Sequence, residues 1–99
     1  MSEIATPSEI DTTMPVLAKF YGIVIRMFRV RGMPARFHAI YHDAELVVEI
    51  APLRVVQGNV PTRIAQLVLA WARTHQAELL AAWAALLHSR RPAAIGPLD

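Results

Sequence analysis

The apolar positions of this chain change period once, near Gly58, and that change divides it into a strand-forming part and a helix-forming part. VLAKFYGIVIRMFRV, residues 16–30, is rich in β-branched and aromatic side chains and predicts strands. Gly22 interrupts it and marks a bulge or a tight turn between two strands. In the second of these, Val24, Arg26, Phe28 and Val30 share one face, and Ile23, Ile25, Met27, Arg29 and Arg31 share the other. Both faces begin apolar, as in a central strand. Gly32 and Pro34 then break the pattern into a loop.

RFHAIYH and ELVVEI alternate around Asp43-Ala44 and predict a hairpin. A two-residue connection there pairs Phe37 with Ile50, Ala39 with Val48 and Tyr41 with Leu46 on one face. The other face pairs His38 with Glu49, Ile40 with Val47 and His42 with Glu45. Asp-Ala is a poorer turn than Asp-Gly, which leaves a wider loop open. Pro52 bends the chain, and LRVV, residues 53–56, reads as a short further strand ending at Gly58.

Beyond Asn59 the spacing becomes helical. Asn59 or Val60 suits the cap and Pro61 the first helical position. Ile64, Leu67, Val68, Trp71, His75, Leu79, Trp83, Leu86 and Leu87 form one apolar stripe. Ala65, Leu69, Ala72 and Leu80 widen it, so the segment is either mostly buried or pairs with a second copy as a homodimer through the helix. An unbroken helix would span about 40 Å, long for so small a domain, so a break or kink is expected near 74–76. Ile95 and Leu98 tack down a loose C-terminal tail. Strands together and then helices together predict an α+β fold. It is a small, mostly antiparallel meander of three to five strands, followed by one long kinked helix or a helix pair packed on the sheet.

The 99 residues make one domain. Residues 1–13 are polar and lack periodicity, and they read as a disordered tail ahead of a single domain over 14–99. Met14, followed by Pro15 and a β-like run, is a second candidate start beside Met1. The net charge of +2 conceals an asymmetry: Glu3, Glu9 and Asp11 lie in the first 13 residues, and the remainder carries ten bases against five acids. Nine of those ten bases are arginine, whose fork suits phosphate and carboxylate, although an Arg- and Ala-rich codon usage would produce the same excess. The absence of cysteine excludes disulfides, thiolate metal sites and a cysteine nucleophile. The N-terminus lacks the basic and apolar regions of a signal peptide, and no apolar run reaches transmembrane length. A cytoplasmic location with no membrane contact is the expectation.

Two clusters could carry chemistry. His38 and His42 face Glu45 and Glu49 across the expected hairpin, and His38 with Glu49 is the candidate acid–base pair. The histidines lie four residues apart on a strand, about 13 Å, too far to share a metal ion, and exposed cross-strand ion pairs are the simpler reading. His75 and His88 do not share a helix face. Arg26, Arg29, Arg31 and Arg36, at adjacent strand ends, form the candidate binding patch for nucleic acid or an acidic protein. No phosphate loop, zinc motif or triad order is readable, and no cofactor is implied.

MPVLAKFYGIVIRMF, PARFHAIYH, GNVPTRIAQLVLAWARTHQAELLAAW and IGPL occur in that order. In this combination the chain resembles the small bacterial domain-of-unknown-function family 4160, from Met14 to Leu98. The family's loop usually reads Asp-His-x-Pro-Pro-His-x-His. Here the corresponding run is Arg31-Gly32-Met33-Pro34-Ala35-Arg36-Phe37-His38, in which only Pro34 and His38 match. Ala70 and Ala82 stand where the family has an acid and an asparagine before its two tryptophans. The scaffold is kept and the polar constellation is not. The resemblance implies one half of a two-gene, toxin–antitoxin-like cassette, with a small protein partner of domain-of-unknown-function family 2442 and an RNA or ribosomal target. The resulting expectation is a non-enzymatic interaction module using the arginine patch. The alternative is a degenerate or active hydrolase or nuclease, dependent on a metal or on histidine and centred on His38.

Overall fold

The computed structural model describes residues 14–98. The tail expected over residues 1–13 lies outside them. Five strands follow in chain order: β1 (Val16–Phe20), β2 (Ile23–Arg26), β3 (Arg36–Tyr41), β4 (Ala44–Ile50) and β5 (Leu53–Gly58). They form one antiparallel meander in which each strand pairs with the next. Two helices complete the α+β fold, α1 (Thr62–Thr74) and α2 (Gln76–Leu87).

The β1–β2 turn is Tyr21-Gly22, with φ of 50° and 78°. Two successive positive φ values match the twist of an antiparallel ribbon, and Gly22 adopts its value without steric cost. A bulge in β1 between Val16 and Ala18 breaks the alternation, so Leu17, Ala18 and Phe20 are all buried.

The β3–β4 hairpin corrects the expected register. The two connecting residues are His42-Asp43, not Asp43-Ala44, and Tyr41 pairs with Ala44. His42 takes φ 55°. Histidine is among the residues that enter the left-handed region most readily, so His42 can open the turn. The change moves every partner by two residues and so preserves both faces. Phe37 now opposes Val48, and His38 opposes Val47 rather than Glu49. His42 leaves the ladder, and the expected His42–Glu45 pair does not form.

Ile23, Ile25, Met27, Phe37, Ala39, Leu46, Val48 and Ile50 point from the sheet into the core. The helices meet them with Ile64, Val68, Trp71, Ala72, Leu79, Ala82, Trp83 and Leu86. Trp71 is fully buried; its ring lies 5.2 Å from that of Phe20 and edge-on to Phe37 at 5.8 Å. Its indole Nε1 donates to the Gly96 carbonyl at 2.8 Å, and the Ile95 amide donates to the Leu17 carbonyl at 2.8 Å. The C-terminal tail is therefore fastened to both the helix layer and the edge of β1.

The helices divide at His75, which has φ −111° and ψ 22°. Gln76 donates to the Ile50 carbonyl at 2.6 Å and pins this junction to the end of β4. At the other end of the pair, Pro61 is the N-cap of α1 and Thr62 its first helical residue, one position later than expected. Its carbonyl accepts from the Ile64 and Ala65 amides. Leu80, expected to widen the buried stripe, is 39 % exposed.

Candidate functional site

The sheet face opposite the helices carries the polar residues. Val24, Ile40 and Val47 lie there, outside the main core cluster. The ladder sorts this face into three rows. Lys19, Val24, Ile40 and Glu45 form one, and Val16, Arg26, His38, Val47 and Gln57 the next. Arg36, Glu49 and Arg54 form the third.

His38 sits at the centre of this face and is only 9 % exposed. Its Nδ1 lies 2.6 Å from Glu45 Oε2, the diagonal neighbour on β4. A carboxylate accepts, so Nδ1 donates. Phe28 stacks on the imidazole with centroids 4.6 Å apart and planes inclined by 24°. Nε2 is enclosed and has no hydrogen-bond partner among the described residues. The ring is thus held in one orientation by a carboxylate and an aromatic face, while its second nitrogen is shut away from solvent.

Glu49, the carboxylate expected to face His38, serves two arginines instead. Arg36 Nη2 donates to Oε2 at 3.1 Å and Arg54 Nε donates to Oε1 at 2.9 Å. The Glu49 and Arg36 side chains are 10 % and 14 % exposed. One carboxylate thereby links β3, β4 and β5 from the middle strand, and both of its oxygens are occupied.

The four arginines of the expected patch are dispersed. Arg26 donates to the Met14 carbonyl at 2.6 Å on the helix-free face. Arg36 also donates to the Pro34 carbonyl at 3.3 Å. Arg29 reaches the end of α2 and donates to the Leu86 carbonyl at 3.4 Å and to Ser89 Oγ at 3.2 Å. Arg31 is exposed in the turn leading to β3. Only Arg26 and Arg36 join His38 on one surface. Arg54, absent from the expected patch, completes it. The signal that could have found Arg54 was its place opposite Glu49 once a fifth strand is drawn.

The remaining histidines stand apart. His75 Nδ1 lies 2.5 Å from Glu78 Oε1 and its ring 5.3 Å from that of Trp71. His88 Nδ1 donates to the Ala84 carbonyl at 2.8 Å. Among the described residues, no three His, Asp or Glu side chains gather where they could hold a metal ion.

Residues 22–84 match the family described as domain of unknown function DUF4160. The chain belongs to this family. The DUF4160 match runs from the β1–β2 turn into α2 and takes in the part of the face around His38 that β2 to β5 supply. The sheet edge β1 and the tail that fastens to it lie outside the match. No curated protein and no solved structure matches the chain. No helix among the described residues is long and apolar enough to cross a membrane.

Proposed function

We propose that this protein is a non-enzymatic interaction module whose helix-free sheet face binds a small protein partner. The observation that carries this reading is the enclosure of His38 Nε2 within a face bordered by Arg26, Arg36 and Arg54. Such a surface offers guanidinium and aromatic contacts but no reactive atom. Glu45 and Glu49 lie among the arginines. Carboxylates inside the patch oppose a phosphate backbone and suit a protein surface bearing both signs of charge. The toxin–antitoxin-like pairing implied by the family fits this reading, with the partner encoded beside this chain.

Co-purification with the neighbouring gene product tests it. A complex that forms at low salt and weakens at high salt is expected. Lys19→Glu, at an exposed position of that face, should weaken the complex without changing the thermal unfolding of the free protein. Failure to form any complex at low salt argues against the module.

A second reading rests on the 2.6 Å contact between His38 Nδ1 and Glu45, the orientation in which a carboxylate supports a general base. In that case the acid beside His38 is Glu45, not Glu49. RNA cleavage that is lost in His38→Ala would replace the binding proposal with this one.

A further inference from the structure

The outer face of α2 has the composition of an interior. Ala77, Leu80, Ala81, Ala84 and Leu87 recur at helical spacing and all are exposed, Leu80 by 39 % and Leu87 by 44 %. Leu79, Ala82, Trp83 and Leu86 on the opposite face already fill the core. The helix is therefore apolar on all sides, a pattern that belongs to a helix covered on both faces. Charge collects only at its ends. Glu78 lies in the first turn, its Oε1 against His75 Nδ1 and its side chain still 53 % exposed, while His88, Arg90 and Arg91 follow the last turn. Arg29 adds a fourth basic group there through its bond to the Leu86 carbonyl.

This arrangement is self-complementary in one direction. We propose that α2 packs against α2 of a second copy, antiparallel, about a two-fold axis beside Ala84. Setting Leu80 opposite Leu87 across that axis brings residue 78 opposite residue 89. Each Glu78 then meets the basic end of the other helix. An isologous contact makes this pair twice. The alanines between the leucines let two helix surfaces approach at the short end of the usual 8–10 Å separation. A parallel pairing would instead bring the basic ends together. The surface is distinct from the sheet face assigned to the partner protein, so both can be occupied at once.

Sedimentation of the full chain over a wide concentration range tests the contact. The weight-average mass should rise from the 11.0 kDa monomer toward twice that value. Leu80→Glu should weaken dimerisation by at least about tenfold. Because Leu80 lies on the outer face, the secondary structure of the variant, and its melting at concentrations where the parent is monomeric, should remain those of the parent. The direction of packing is read with charge exchange. Glu78→Arg alone and the Arg90→Glu, Arg91→Glu double variant alone should each be mainly monomeric, and an equimolar mixture of the two should recover the dimer. The chain has no cysteine, so single cysteines report the axis cleanly. Ala84→Cys should oxidise to a covalent dimer faster than Ala77→Cys. A chain that stays monomeric at millimolar concentration overturns the proposal. So does a dimer indifferent to Leu80→Glu and Leu87→Glu, or a mixture of charge variants that does not associate.

Discussion

Gly58 ends β5 with φ +97°, and a Cβ added there would lie 2.0 Å from the Glu45 carbonyl oxygen. That oxygen belongs to the backbone of β4 and cannot move aside as a flexible side chain would. Gly58→Ala therefore combines a left-handed penalty with a steric overlap and should cost at least ~2 kcal/mol, read as a lower denaturant midpoint. Ser89 shows the opposite case. Its φ of 56° places an ordinary residue in the left-handed position that closes α2. The Ser89 amide donates to the Leu86 carbonyl and the Arg90 amide to the Ala85 carbonyl, the bond pair of a Schellman cap. Ser89→Gly should raise stability by about 0.5–1 kcal/mol, reduced by the lost bond from Arg29, as measured by chemical denaturation. Both glycine effects depend on local backbone conformation. Gly58 was visible in the sequence as a strand end, but its contact with Glu45 arises only once β5 lies against β4.

Cross-strand polar groups join the elements alongside the apolar layer. Glu49 on β4 accepts from Arg36 on β3 and Arg54 on β5, with little exposure for Glu49 or Arg36. Removing the carboxylate leaves a half-buried guanidinium unpaired, which costs more than an exposed ion pair would. Glu49→Ala should lose ~2–4 kcal/mol in equilibrium unfolding, the low end reflecting the exposure of Arg54. In a double-mutant cycle with Arg36→Ala the two losses should be strongly non-additive. The alternation of RFHAIYH and ELVVEI was enough to assign these residues to one face. It was not enough to choose partners, because a two-residue slide preserves both faces. The turn at His42-Asp43 set the slide, and with it the exchange of Glu49 for Glu45 beside His38.

In the whole molecule, Trp71 joins parts distant in sequence. It packs against Phe20 and Phe37 of the sheet, and through the Gly96 carbonyl it holds the segment whose Ile95 amide bonds to β1. Trp71→Phe keeps an aromatic ring but deletes the donor and part of the buried volume. A loss of ~2 kcal/mol is expected. The Ile95 amide should then exchange with solvent faster than amides of β3, because the tail loses its second fastening. An unchanged ratio of those exchange rates would mean that the tail is held by Ile95 burial alone.

By itself, the sequence determined the α+β class, the alternation of the strands, an interruption of the helical segment near His75 and the place of both tryptophans on its apolar stripe. These follow from periodicity and from turn residues, which act over a few neighbours. Only the tertiary structure decided which carboxylate meets His38, that Arg29 caps a helix while Arg54 joins the sheet face, and that Leu80 and Leu87 remain uncovered. Those outcomes depend on hairpin register and on which side of a wholly apolar helix reaches the sheet. Residue pattern leaves both choices nearly equal in energy until the chain has packed.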